Sequence, residues 1–196
     1  MITMTALGDS FVEGRGDPAA SGGYRGWVTR LGGQLGARVR NHGAYQATTS
    51  IVVETQLPAA VAARATLYGV VVGVNDLVSD YDADRFERNV SQIFGQLRAG
   101  GATVFTANYP DIPSRLTVPD SFRTLLRARF ARANDVLARV TADTGTLMLD
   151  LAGAPEWEAP KVWTADGLHP SPIGHHMFAV RAAELLATET ASTIAA

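Results

Sequence analysis

Ser10 lies in Gly8-Asp9-Ser10, directly after the apolar run from Ile2 to Leu7. A serine hydroxyl is a weak nucleophile until a base takes its proton, and a strand end beside a glycine exposes it for attack. Taken alone, the tripeptide equally describes a turn or an N-cap serine. Asp166-Gly167-Leu168-His169-Pro170 supplies a base with a partner. An aspartate three residues before a histidine can fold back and accept the Nδ1–H bond, which fixes the tautomer and supports the imidazolium. Gly167 permits the turn, and Pro170 keeps His169 out of a regular helix. Asn75, in Gly73-Val74-Asn75-Asp76, offers an amide that can donate to a developing oxyanion without titrating. An Asx-turn is its plain alternative. The segment Asn41-His42-Gly43-Ala44-Tyr45-Gln46-Ala47-Thr48-Thr49 is a polar loop whose bland reading is a βα connection.

The elements that must position these groups show in the hydrophobic periodicity. Ile2 to Leu7, Ala37 to Arg40, Leu67 to Val72, Ala102 to Ala107 and Thr146 to Leu149 read as short strands. Trp27, Val28, Leu31 and Leu35 form one helical stripe, and Phe86, Val90, Ile93 and Leu97 another. Thr49 to Leu57 is expected to be helical and to stop at Pro58. A long helix carries Phe122, Leu125, Leu126, Ala133, Val136, Leu137 and Val140. Ser171 is placed to cap a last helix with Pro172 at its first position. Strands alternating with helices predict an α/β domain with a mostly parallel sheet and helices on both faces. Ligands bind beyond the carboxyl ends of such strands, where all four motifs fall.

Four strand-end motifs in this order resemble the GDSL or SGNH hydrolase family, from Gly8 to His175. The resemblance implies a flavodoxin-like three-layer α/β/α sandwich and a carboxylic ester hydrolase. It implies Ser10 as nucleophile, His169 as general base and Asp166 as its orienting partner. The oxyanion hole would combine the Ser10 N–H, a backbone N–H of the second block and the Asn75 side chain. One departure stands out. If Asn41 is aligned with the family's asparagine, Gln46 occupies a position where the family usually has glycine, and glutamine tolerates φ > 0 less well. Either Gln46 still donates its N–H, Gly43 takes the role, or the hole is weakened. Trp163 and Tyr109 are candidate substrate-lining residues. Asp9 and Asp76 read as loop braces, His175 as a capping or packing residue of the last helix, and Arg115 as a solvated side chain.

The rest of the sequence bounds this reading. The 196 residues suit one domain, residues 1–196, with the Ala/Thr-rich tail after about residue 187 expected to fray. A net charge of −2 gives no footprint for nucleic acid. There is no cysteine, so thiolate chemistry and Cys-ligated zinc are excluded. No apolar run approaches the roughly 20 residues of a membrane span. Met1 to Leu7 is too short for a signal peptide, which points to a cytoplasmic chain. No metal or cofactor is implied. The α/β-hydrolase signature Gly-x-Ser-x-Gly is absent, since Phe11 and Val12 follow Ser10. The expected activity is cleavage of small acyl esters through an acyl-enzyme on Ser10. The alternatives are an acyltransferase with the same three residues and a catalytically weak binding or regulatory protein. Acyl length, alcohol part and oligomeric state are not legible.

Overall fold

The computed structural model describes residues 1–195. Five strands, β1 (Thr3–Gly8), β2 (Arg38–Asn41), β3 (Leu67–Val71), β4 (Thr103–Ala107) and β5 (Leu147–Leu149), form one sheet in the order β2-β1-β3-β4-β5. All four pairings are parallel. This is the flavodoxin-like order, with its switch point between β1 and β3. β3 is buried along its whole length, as a central parallel strand covered on both faces must be. β2 is an exposed edge, and its Arg38-Val39-Arg40 composition suits one.

Helices cover both faces. On one, α2 (Gly26–Leu35) packs on α8 (Pro172–Ala195). On the other, α6 (Ala83–Arg98) packs on α7 (Asp120–Thr144), and α6 also meets α3 (Thr49–Ile51) and α4 (Leu57–Ala63). The result is the expected three-layer α/β/α sandwich. Trp27 of α2 is fully buried between Phe105 of β4 and Phe178 of α8, with ring centroids 5.8 and 4.9 Å away. Truncating such a ring to alanine costs about 3–5 kcal/mol, so it sets the seat of α2 and α8 on the sheet. α8 begins as expected: Pro172 is its first residue, and the Ser171 hydroxyl accepts from the Gly174 N–H at 3.4 Å. Its backbone is helical through Ala195, past the point where composition suggests fraying.

Pro58 does not stop its helix. α3 passes through a π turn at Val52–Gln56 directly into α4, whose second residue is Pro58. In the π turn the Leu57 N–H reaches back five residues to the Val52 carbonyl. The wider turn shifts the bonding register just where proline removes a donor and needs room for its ring. Between β1 and α2 lies a single helical turn, α1 (Ser10–Glu13), and after β3 comes α5 (Val74–Val78). Both start at the carboxyl ends of adjacent strands, and both carry residues of the site.

Candidate active site

Ser10 opens α1 immediately after β1. The chain can turn there because residue 8 is glycine: Gly8 has φ +149°, and a Cβ would lie 1.9 Å from the Val71 carbonyl oxygen of β3. Gln56, within the π turn, holds both backbone groups of Gly8. Its Nε2 donates to the carbonyl at 2.9 Å, and its Oε1 accepts from the N–H at 2.8 Å. No sequence signal marks this residue, because a lone glutamine on an otherwise amphipathic helix reads as surface. Asp9 caps α1, accepting from the Phe11 N–H at 2.9 Å. The Ser10 side chain is thereby turned out of the sheet toward His169.

His169 Nε2 is 2.9 Å from Ser10 Oγ, and His169 Nδ1 is 2.7 Å from Asp166 Oδ2. With the Nδ1 proton bonded to a carboxylate, Nε2 is left as the acceptor for the serine hydroxyl. Asp166 Oδ1 accepts from the Thr164 hydroxyl at 2.7 Å and from the Leu168 and His169 N–H groups at 2.8 and 3.0 Å. One oxygen is saturated by its own loop, and the other is reserved for the imidazole. Burial pushes the Asp166 carboxyl up, but the His169 ring, the two N–H groups and Thr164 outweigh it and hold it well below the usual carboxylate range. Ser10 and His169 are buried to within a tenth of full, whereas the Asp166 side chain is half exposed. Thr164 is a second participant that spacing alone did not reveal.

The second block runs from Asn41 to Thr49 beside this chain. Asn41 Nδ2 donates to the Val12 carbonyl at 2.8 Å and its Oδ1 accepts from the Gly43 N–H at 2.8 Å. Gly43 therefore has no free donor. It is glycine because a Cβ would lie 2.2 Å from the Glu13 nitrogen of α1. Gln46 adopts φ +61°, the left-handed conformation that the sequence made doubtful for a glutamine. Its side chain is exposed, and its N–H has no acceptor among the described residues. The same holds for the Ser10 N–H. Asn75 Nδ2 donates to the Ala47 carbonyl at 2.9 Å, which leaves its second N–H unspent. Next to it, Asp76 accepts from the Thr49 N–H at 2.9 Å and from the Thr49 hydroxyl at 2.6 Å. Asn75 and Asp76 together tie the second block to the chain that follows β3.

Two carboxylates beneath the site are buried. Burial, with a small addition from Asp76, pushes Asp9 up to about 7, against the bond from Phe11. Asp76 is also raised by burial, and the two bonds from Thr49 oppose the rise. His175, on α8, is completely buried. Its Nδ1 accepts from the Trp27 N–H at 3.2 Å and its Nε2 donates to the Arg15 carbonyl at 2.9 Å. Burial lowers it to about 4, so it stays neutral and holds α2 and the chain after α1 against α8.

A recess of about 40 Å³ lies beside Asp9, lined by Val74, Tyr109, Ile112, Leu151, Trp163 and Leu168 among others. Tyr109 and Trp163 thus stand together on a small apolar pocket. The Tyr109 hydroxyl donates to the Val72 carbonyl at 2.5 Å, so the ring has a fixed direction. On its far side Trp163 faces an open cleft of about 610 Å³ that also touches Asp111, Arg115, Glu158 and Gly167. Arg115 is not a solvated side chain. Its guanidinium lies 4.8 Å over the Trp163 ring and donates to the Asp111 and Trp157 carbonyls at 2.8 and 2.5 Å, joining two loops.

A profile of the GDSL-like lipase/acylhydrolase family matches residues 6–177. The chain belongs to this family. Solved structures show the same fold at low identity. A lipase/acylhydrolase from Enterococcus faecalis superposes with a TM-score of 0.72 at 18% identity, over 92% of this chain and 93% of the other. A variant of an acetyl xylan esterase from Geobacillus stearothermophilus gives 0.72 at 17% identity, over 94% of each chain. The esterase EstA of a Pseudoalteromonas species gives 0.70 at 14% identity, over 97% of this chain and 99% of that one. No curated protein matches the sequence. No helix among the described residues is long and apolar enough to cross a membrane.

Proposed function

We propose that this chain is a single-domain carboxylic ester hydrolase that cleaves short acyl esters through an acyl-enzyme on Ser10. The observation that carries the reading is the unbroken chain Ser10 Oγ, His169 Nε2, His169 Nδ1 and Asp166 Oδ2, with links of 2.9 and 2.7 Å. His169 takes the Ser10 proton as Oγ attacks the ester carbonyl. The negative oxygen is received by the N–H groups of Ser10 and Gln46 and by Asn75. His169 then gives its proton to the leaving alcohol as the carbon–oxygen bond breaks. Water, activated by His169 in the same way, releases the acid and restores Ser10. The recess beside Tyr109 and Trp163 is the natural seat of the acyl group. At about 40 Å³ it is small and favours short acyl groups.

Hydrolysis of p-nitrophenyl acetate, butyrate and octanoate tests the proposal. Acetate is expected to be the best substrate, and Ser10→Ala is expected to lose at least about 10⁴-fold in kcat. Turnover that survives in Ser10→Ala would reject the mechanism, and octanoate as the best substrate would reject the assignment of the recess. The free Gln46 N–H disfavours a catalytically weak protein, since the second-block donor is retained without glycine.

A further inference from the structure

Two cavities lie back to back on the two sides of Trp163. The small apolar recess is lined by Asp9 and Phe11, the two neighbours of Ser10, and by Leu168 and Pro170, the two neighbours of His169. It therefore lies against the reacting pair. The open cleft of about 610 Å³ touches none of these four residues. Three stretches of chain run along the boundary, and in each the neighbouring residues face opposite sides. Asp111 lines the cleft while Pro110 and Ile112 line the recess. Glu158 and Gly167 line the cleft, and Trp157 and Leu168, next to them in the chain, line the recess. A single layer of residues thus separates the two spaces. Trp163 alone among the described residues lines both.

Trp163 is held in that layer from several directions. Its Nε1 donates to the Trp157 carbonyl at 2.8 Å, and its ring meets that of Trp157 edge to face at 5.8 Å between centroids. The Arg115 guanidinium, itself part of the cleft wall, lies 4.8 Å from the centroid of the indole. The Trp163 backbone is bridged to Pro170, which fixes its place relative to His169. Only 8% of the residue is exposed, so the indole is fixed wall rather than a flap.

We propose that Trp163 sets the upper limit of acyl length: its indole ends the recess, and a smaller side chain there joins recess and cleft into one channel that takes medium-chain acyl groups. The inference deepens the reading of Ser10 as nucleophile and of the recess as the acyl seat, and rests on it. An acyl group bound through its carbonyl at Ser10 must place its remaining carbons in the space that adjoins the serine. About 40 Å³ is filled by a short chain, and further methylenes would have to displace packed side chains. The much larger space beyond is closed off by the indole. Leu151 offers a contrast, since it lines the recess and not the cleft.

The test is the ratio of kcat/KM for p-nitrophenyl octanoate to that for the acetate, in wild type, Trp163→Leu, Trp163→Phe and Leu151→Ala, with folding followed by near-ultraviolet circular dichroism. Trp163→Leu is expected to raise the ratio at least about tenfold and Trp163→Phe about threefold. Where Trp163→Leu does not fold, Trp163→Phe carries the test. Leu151→Ala, which enlarges the recess without reaching the cleft, is expected to raise it no more than about twofold. An unchanged ratio in folded Trp163 variants, or an equal rise in Leu151→Ala, overturns the partition. Calorimetric titration of sodium octanoate into Ser10→Ala and Ser10→Ala/Trp163→Leu separates the partition from the reading beneath it. Tighter binding to the double variant without wild-type turnover of any ester rejects the hydrolase and keeps the partition. Wild-type turnover with an unchanged ratio and unchanged octanoate affinity rejects the partition and keeps the hydrolase. Neither turnover nor tighter binding rejects both.

Discussion

Asp166, in the connection between β5 and α8, and the pair Asp9 and Asp76, just beyond β1 and β3, are carboxylates whose surroundings drive them in opposite directions. Asp166 is half exposed and receives three donors on one oxygen and the imidazole on the other. It stays ionised at every ordinary pH. Asp9 is buried with a single N–H, and Asp76 is buried with two donors from Thr49. Both are raised. The difference lies in depth and in donors together: burial is the largest push on Asp9 and Asp76 and their few donors do not offset it, whereas the donors on Asp166 outweigh its partial burial. A carboxylate that must stabilise an imidazolium has to be charged, and the Thr164–His169 loop secures that with its own backbone. A carboxylate that only organises chain tolerates a weaker hold.

Asp166→Asn is the sharpest way to break the comparison. It keeps the size of the group and removes the charge, and it is expected to lower kcat/KM by roughly 10³–10⁴-fold with little loss of folding. A loss below tenfold would mean that the carboxylate only positions the loop. Next in size, Asn75→Ala is expected to lose on the order of 10²–10³-fold in kcat, the usual cost of one oxyanion donor. An effect on KM alone would place Asn75 in substrate binding instead.

Asp9 gives a pH signature of opposite sign to an ordinary paired carboxylate. Its value rises from 3.8 to about 7 in the folded chain. Between these values the native state holds a proton that the unfolded chain has released, so stability falls as pH rises and the penalty is complete above about 7. Its ceiling is about 4 kcal/mol. Asp9→Asn is expected to raise the urea midpoint at pH 8 more than at pH 4.5, and equal shifts at the two pH values would show that Asp9 is not raised. His175 acts at the acid end. Lowered from 6.5 to about 4, it leaves the unfolded state with more protons in that interval, so stability falls as pH drops through it, by up to about 3 kcal/mol. His175→Gln, read by the same urea titrations, is expected to flatten this acid limb. The smallest effect is expected from Gln46→Gly, which relieves the positive φ and adds up to about 1 kcal/mol in thermal stability while keeping the N–H.

The contrast also explains what could be read from sequence. The contact between Asp166 and His169 is local, three residues apart, and its spacing made it legible. The alternation of strands and helices was legible for the same reason, since each element carries its own periodicity. What escaped depends on neighbours distant in the chain. The two bonds from Gln56 to Gly8 exist only once the helix after the second block lies on β1. Pro58 reads as a stop unless the π turn before it is known. The bridge of His175 between Trp27 and Arg15, and the stacking of Arg15 on Tyr45, join segments with no shared pattern. Gln46 shows the limit most clearly: its residue type argued against the left-handed backbone, and it sits third in a turn closed by the Ala47 N–H on the Ala44 carbonyl at 3.1 Å, a place that takes positive φ.

The most direct test is the reaction of wild type with a fluorophosphonate serine probe, followed by peptide mass spectrometry. A single adduct on Ser10, formed much more slowly in Asp166→Asn, is expected. A folded wild type that remains unlabelled, or carries its label on another residue, would contradict the assignment of Ser10 as the activated nucleophile.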